Sequence, residues 1–75
     1  MVKQLFEHII IDPNVRFGKP VIVGTRVPVD VIIGKIAGGM TLEEVEHEYD
    51  LTHKQVQAAL KYAAHIVAEE QLVFA

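Results

Sequence analysis

The chain has 75 residues, a formal net charge of −3 and 51% hydrophobic residues with a mean hydropathy of +0.28, so it holds one domain with a thin core. It contains no Cys and no Ser, which excludes disulfides, thiolate metal sites and the usual Ser or Cys nucleophiles. The apolar content is high for so short a chain and favours burial against a second copy; no stretch reads as a signal peptide or a membrane span. In chain order, His8-Ile9-Ile10-Ile11 reads as a short β-branched strand closed by the Asp12-Pro13-Asn14 turn signal. Val21-Ile22-Val23, between Gly18-Lys19-Pro20 and Gly24, reads as a second strand. The two pair with each other as a hairpin or across a dimer. A first helix is expected from Pro28, with Val29, Ile32, Ile33 and Ile36 as its apolar stripe and Gly38-Gly39 as its end. Thr41-Leu42-Glu43-Glu44 is a capping box that opens a second helix with Leu42, Val45 and Tyr49 on one face. Asp50-Leu51 makes the turn, and a second box, Thr52-His53-Lys54-Gln55, opens a third helix running to about Glu70. Val56, Ala59, Leu60, Ala63, Ala64 and Val67 are its expected apolar face, and residues 71–75 form an apolar tail.

These elements predict a mostly α fold: a β-strand and turn arm over 8–27, a three-helix, helix-turn-helix core over 28–70, and the tail. A short capped helix joined by a tight turn to a longer capped helix has the spacing of a helix-turn-helix, in which the later helix enters the DNA major groove. On that reading His53, Lys54, Gln55, Gln57 and Lys61 meet the groove, because Gln matches adenine and Lys reaches guanine or phosphate. Arg16, Lys19 and Arg26 lie in a glycine- and proline-rich stretch where backbone N–H groups can cradle an anion, or where the cations brace turns and pair with Asp12 and Asp30. Charge is unevenly divided. Residues 1–40 carry five Lys and Arg against three Asp and Glu, while residues 41–75 carry two against seven. An acidic chain binds nucleic acid only through a local basic patch, and the four Glu between residues 43 and 48 count against a phosphate contact there.

Catalytic and metal motifs do not complete. His47-Glu48 begins a zincin pattern that fails at Leu51, and a phosphate-binding P-loop would need Gly at 13 and Ser or Thr at 20, both Pro here. His8, His53 and His65 are scattered, so no cofactor, metal or enzymatic activity is expected.

The segments Ile10-Ile11-Asp12-Pro13, Gly18-Lys19-Pro20-Val21-Ile22-Val23-Gly24-Thr25-Arg26-Val27-Pro28-Val29 and Gly39-Met40-Thr41-Leu42-Glu43-Glu44, continued by Tyr49, Leu51 and Val56 to Ala64, resemble the domain of unknown function 433 family. The resemblance spans roughly residues 6 to 66. It implies a small prokaryotic protein with a winged or homeodomain-like helix-turn-helix fold, and the lack of Cys and of any signal-peptide or membrane-span pattern fits a cytoplasmic location. It further implies an antitoxin of a type II toxin–antitoxin pair: a homodimer that represses its own promoter and inhibits a PIN-like ribonuclease toxin. The acidic second helix and the tail residues Leu72, Val73 and Phe74 are then the expected surface for that partner. The alternative expectation is a protein-interaction module in which the helix-turn-helix is only a scaffold.

Overall fold

The computed structural model describes residues 1–74, the side chains of 70–74 excepted. Strands β1 (Lys3–Phe6), β2 (Ile9–Ile11) and β3 (Val21–Ile22) form an antiparallel sheet in that order, followed by helices α1 (Val29–Ala37), α2 (Leu42–Tyr49) and α3 (His53–Phe74). The two expected strands pair with each other inside one chain, with Ile9 opposite Ile22 and Ile10 opposite Val21. The strand β1 was not expected. It joins β2 through a tight turn at Glu7-His8, where His8 takes a φ of 66°, and an irregular register between Gln4 and Phe6 marks the join. Only the outer edge of β1 is left to accept a strand from another chain.

β3 turns sharply back. Thr25 N–H donates to the Ile22 carbonyl at 3.0 Å, and Gly24 holds a φ of 77°, the positive value that the third position of a type II turn demands. The Thr25 hydroxyl donates to the same carbonyl at 2.8 Å and accepts from Val27 N–H at 3.1 Å. Val29 N–H then donates to the Pro20 carbonyl at 2.9 Å, which ties the start of α1 to the sheet. Pro28 is the extended residue before α1, φ −70° and ψ 146°, so the helix begins one residue later than its sequence suggests. Its end matches the glycine signal: Gly39 sits at φ 109°, a conformation costly for any residue with a Cβ.

Both capping boxes form. Thr41 Oγ1 accepts from Glu44 N–H at 3.1 Å, and a Glu44 carboxylate oxygen accepts from Thr41 N–H at 2.8 Å. Thr52 and Gln55 repeat the pattern at 3.1 and 2.8 Å. Between them Asp50 is left-handed (φ 54°), and both Asp50 and Leu51 N–H donate to the Glu46 carbonyl, closing α2 and redirecting the chain within three residues. Asp is among the few residues that visit this region at modest cost.

Ile9, Ile22, Ile32, Val45 and Val56 are fully buried, with Val29, Leu51, Ala58 and Ala59 completing the core between sheet and helices. Burying each large side chain stabilises by about 1.5–3 kcal/mol. On α3 the expected face shifts. Ala64 and Val67 are exposed, whereas Ala58, not expected inside, is buried because the β1–β2 hairpin covers that side of the helix. The hairpin is held there by Phe6, whose ring centroid lies 5.9 Å from Tyr62 and 5.8 Å from His65. α3 continues helically beyond Glu70, for about 33 Å in all, so residues 71–74 extend the helix instead of forming a separate tail. No helix is long and apolar enough to cross a membrane among the described residues.

Candidate nucleic-acid interface

α3 presents Lys54, Gln57 and Lys61 on one exposed stripe, because residues three and four apart share a helix face. The β1–β2 turn stands beside it. Phe6, Glu7, His8, Lys54, Gln57, Ala58 and Lys61 line a common groove between hairpin and helix. The arrangement is that of a helix with an adjacent wing, although here the wing precedes the helix in the chain. Glu7 puts one carboxylate into the groove, 3.6 Å from His8 Nε2, and tempers its positive charge.

The other expected groove residues of α3 are differently placed. Gln55 is half-buried and its side-chain oxygen accepts from Thr52 N–H, so its amide is committed to the cap. His53 Nδ1 lies 2.8 Å from a Glu46 carboxylate oxygen and links the first turn of α3 to α2. Of the five groove candidates on α3, Lys54, Gln57 and Lys61 are exposed with their side chains free of partners among the described residues.

Arg16, Lys19 and Arg26 form a second group. Arg16 Nε donates to the Arg26 carbonyl at 3.1 Å, and Lys19 Nζ donates to Asp30 Oδ2 at 3.0 Å. Lys19 borders a groove whose opposite wall is Tyr62, Ala63, Ile66 and Val67 of α3. Each residue turns the helix by about 100°, so Ala63 lies about half a turn away from Lys54. Lys19 and the Lys54 stripe therefore occupy opposite sides of α3. The geometry of this stretch is that of braced turns, with Asn14 N–H donating to Asp12 Oδ1 at 2.9 Å and Gly18 N–H to the Val15 carbonyl at 3.1 Å. At its tip Arg16, Phe17 and Gly18 hold φ values of 51°, 57° and 79° in succession, and the Phe17 side chain is fully exposed.

The exposed outer face of α2 is acidic. Met40, Thr41, Glu43, Glu44, His47 and Glu48 line a shallow concavity. Thr41 N–H, and its hydroxyl after it, stabilise the Glu44 carboxylate and hold its pKa below the ordinary glutamate value. Among the described residues no group of three or more His, Asp or Glu is placed to hold a metal ion. The side chains of Leu72, Val73 and Phe74 lie outside the described residues.

Two features of the site were missed in the sequence. Glu7 and His8 enter it only because β1 pairs with β2, and the sole local hint was a polar pair between two apolar runs. Phe17 was passed over because nothing local marks an aromatic residue for a left-handed turn.

Three helices, a tight α2–α3 turn and a short hairpin against the later helix define a helix-turn-helix domain with an N-terminal wing. The chain belongs to the family described as protein of unknown function DUF433, whose model matches residues 9–63. It is 36% identical over 61 residues to the uncharacterized protein Rv2308 of Mycobacterium tuberculosis, an alignment covering 81% of this chain and 26% of that protein. It is also similar to the crystal structure of Rv2018 from Mycobacterium tuberculosis, with a TM-score of 0.64 and 33% identity over 69% of this chain and 24% of that one. The chain thus spans about a quarter of the length of each relative.

Proposed function

We propose that this chain is an antitoxin-like DNA-binding protein, a cytoplasmic homodimer that represses its own promoter and binds a toxin of the PIN-like ribonuclease class. The observation that carries the DNA-binding reading is the exposed Lys54–Gln57–Lys61 stripe, set one tight turn after α2 and flanked by the hairpin wing. Its chemistry suits a major groove: two cations for phosphate or guanine and one amide for adenine. Arg16, Lys19 and Arg26 brace the loop behind the helix in this reading, and Gln55 and His53 position α3 instead of touching bases. The reading assigns no catalysis and no cofactor.

The protein-interaction reading is favoured by one observation, the acidic outer face of α2, which repels the phosphate backbone that the first helix of many such motifs crosses. It attracts a basic partner, as an RNA-handling enzyme would be. Fluorescence anisotropy with DNA from the chain's own upstream region, against scrambled DNA at two salt concentrations, separates the readings. Selective binding that weakens with salt and is lost in Lys54→Glu/Lys61→Glu, with helicity unchanged, is the expected result. Absence of selective binding by the folded dimer would overturn the DNA reading and leave the interaction module.

A further inference from the structure

The loop tip at Arg16–Gly18 spends conformational energy to expose an aromatic ring. Two consecutive residues with a Cβ sit in the left-handed region, where each costs about 1–2 kcal/mol. The Phe17 side chain is fully solvated there, while every other Phe or Tyr with described side-chain burial is at least half packed. The flanking hydrogen bonds from Arg16 to Arg26, from Lys19 to Asp30 and across Val15–Gly18 brace the turn. An exposed aromatic flanked by Arg16 and by Lys19, the latter paired to Asp30, has the make-up of an interface hot spot.

Its complement lies on the same chain. The concavity on α2 combines the apolar Met40 with the carboxylates of Glu43, Glu44 and Glu48, beside Thr41 and His47. The uneven charge of the sequence, basic through residue 40 and acidic after it, maps onto these two surfaces. Phe17 and Arg16 border the start of α1, and Lys19 the side of α3 away from the Lys54 stripe, so a contact there leaves that stripe open.

We propose that two copies of this chain dimerise by seating Phe17 of each protomer, with Arg16 and Lys19 around it, in the Met40–Glu43–Glu48 concavity of the other. One pair of complementary patches used twice closes about a two-fold axis when both face the same partner; head-to-tail use of the same pair would instead build larger assemblies, so a mass beyond the dimer overturns the two-fold contact. The inference rests on the dimer in the reading above but not on DNA recognition, and it gives the α2 concavity to the second copy in place of a basic partner protein. Phe17 supplies the apolar anchor; the exposed charges set register and partner choice more than affinity.

Sedimentation equilibrium, which needs no DNA, tests the contact. The wild-type chain should show twice its 8.4 kDa mass at micromolar concentration. Phe17→Ala should raise the dissociation constant by about tenfold or more. Two charge-reversed chains make the sharper test: Arg16→Glu/Lys19→Glu on the loop, and Glu43→Lys/Glu48→Lys on α2, which spares the capping carboxylate of Glu44. Each reversed chain alone places like charges in apposition and should sediment as a monomer, whereas an equimolar mixture matches acid to base at both contacts and should recover the dimer. Circular dichroism checks that each variant keeps its helices, and if the loop variant unfolds, Phe17→Ala and the α2 variant still decide the matter. A wild-type monomer at that concentration, or a dimer indifferent to these substitutions, overturns the proposal. In the second case the chain still dimerises through another face, and the DNA-binding reading is untouched.

Discussion

From Thr41 to Gln55 the backbone is directed by side chains three residues away. Two Thr hydroxyls and two side-chain oxygens, on Glu44 and Gln55, satisfy four N–H groups that the helix ends would leave bare, and one left-handed Asp turns the chain between them. From Asp12 to Pro28 the shape depends on distant partners. Arg16 reaches a carbonyl ten residues on, Lys19 a carboxylate eleven residues on, and Ile22 and Val29 close backbone bonds across the loop. The first region builds its geometry locally and leaves its outer surface free for function. The second stores strain at Arg16 and Phe17 and offsets it with the rest of the fold.

If the N-terminal region were a loose arm on a helical core, a cavity in the sheet would leave the helices standing. Ile22 in β3 and Ile32 in α1 are both fully buried in one cluster, so Ile22→Ala and Ile32→Ala should each destabilise by about 2–5 kcal/mol. Urea denaturation followed by helical circular dichroism should show a single transition, shifted by comparable amounts. A helical signal that outlasts the Ile22→Ala midpoint would separate the regions energetically and sink the single-core account.

The strain itself can be relieved. Phe17→Gly should stabilise the monomer, because glycine holds a φ of 57° at no steric cost; the gain is about 1 kcal/mol once the extra freedom of glycine in the unfolded chain is subtracted. The side chain contributes nothing to the core, being fully exposed. A rise in the thermal midpoint, measured below the dimer's dissociation constant, is the expected outcome. A fall would mean that Phe17 has native contacts that its full exposure denies.

This contrast also sets what was readable in advance. Both capping boxes and the glycine stop of α1 are local, and the structure places them within a residue of their sequence signals. β1 was invisible because Lys3-Gln4-Leu5-Phe6 has no clear alternation and becomes a strand only by pairing with β2. Ala58 went unrecognised as core for the same reason, since the hairpin covers it. Lys54, Gln57 and Lys61 could be picked as exposed from helical spacing alone, but their neighbours Glu7 and His8 could not. The sequence offers Gln55 two incompatible tasks, cap and groove contact; one amide oxygen facing Thr52 N–H at 2.8 Å decides for the cap.

The smallest effect separates the two caps. Thr41→Ala and Thr52→Ala should each destabilise by about 1 kcal/mol, since each removes one hydroxyl acceptor from a helix start. Only the first cap carries an ionisable partner. The Thr41 N–H, then the Thr41 hydroxyl, lower the Glu44 pKa, so Glu44 binds its proton more weakly in the folded chain than in the unfolded one. Its contribution is therefore fully present above the ordinary glutamate pKa and is lost as pH falls through the lowered one. Glu44→Gln removes that dependence while keeping an oxygen that accepts from Thr41 N–H. Stability measured from neutral to acid pH should show the wild type ahead at pH 7 and the two proteins converging in acid. The Thr52–Gln55 cap, already neutral, should show no such convergence when Gln55 is replaced by Ala. Parallel wild-type and Glu44→Gln curves across the whole range would mean that the carboxylate charge adds nothing to the α2 cap beyond its hydrogen bond.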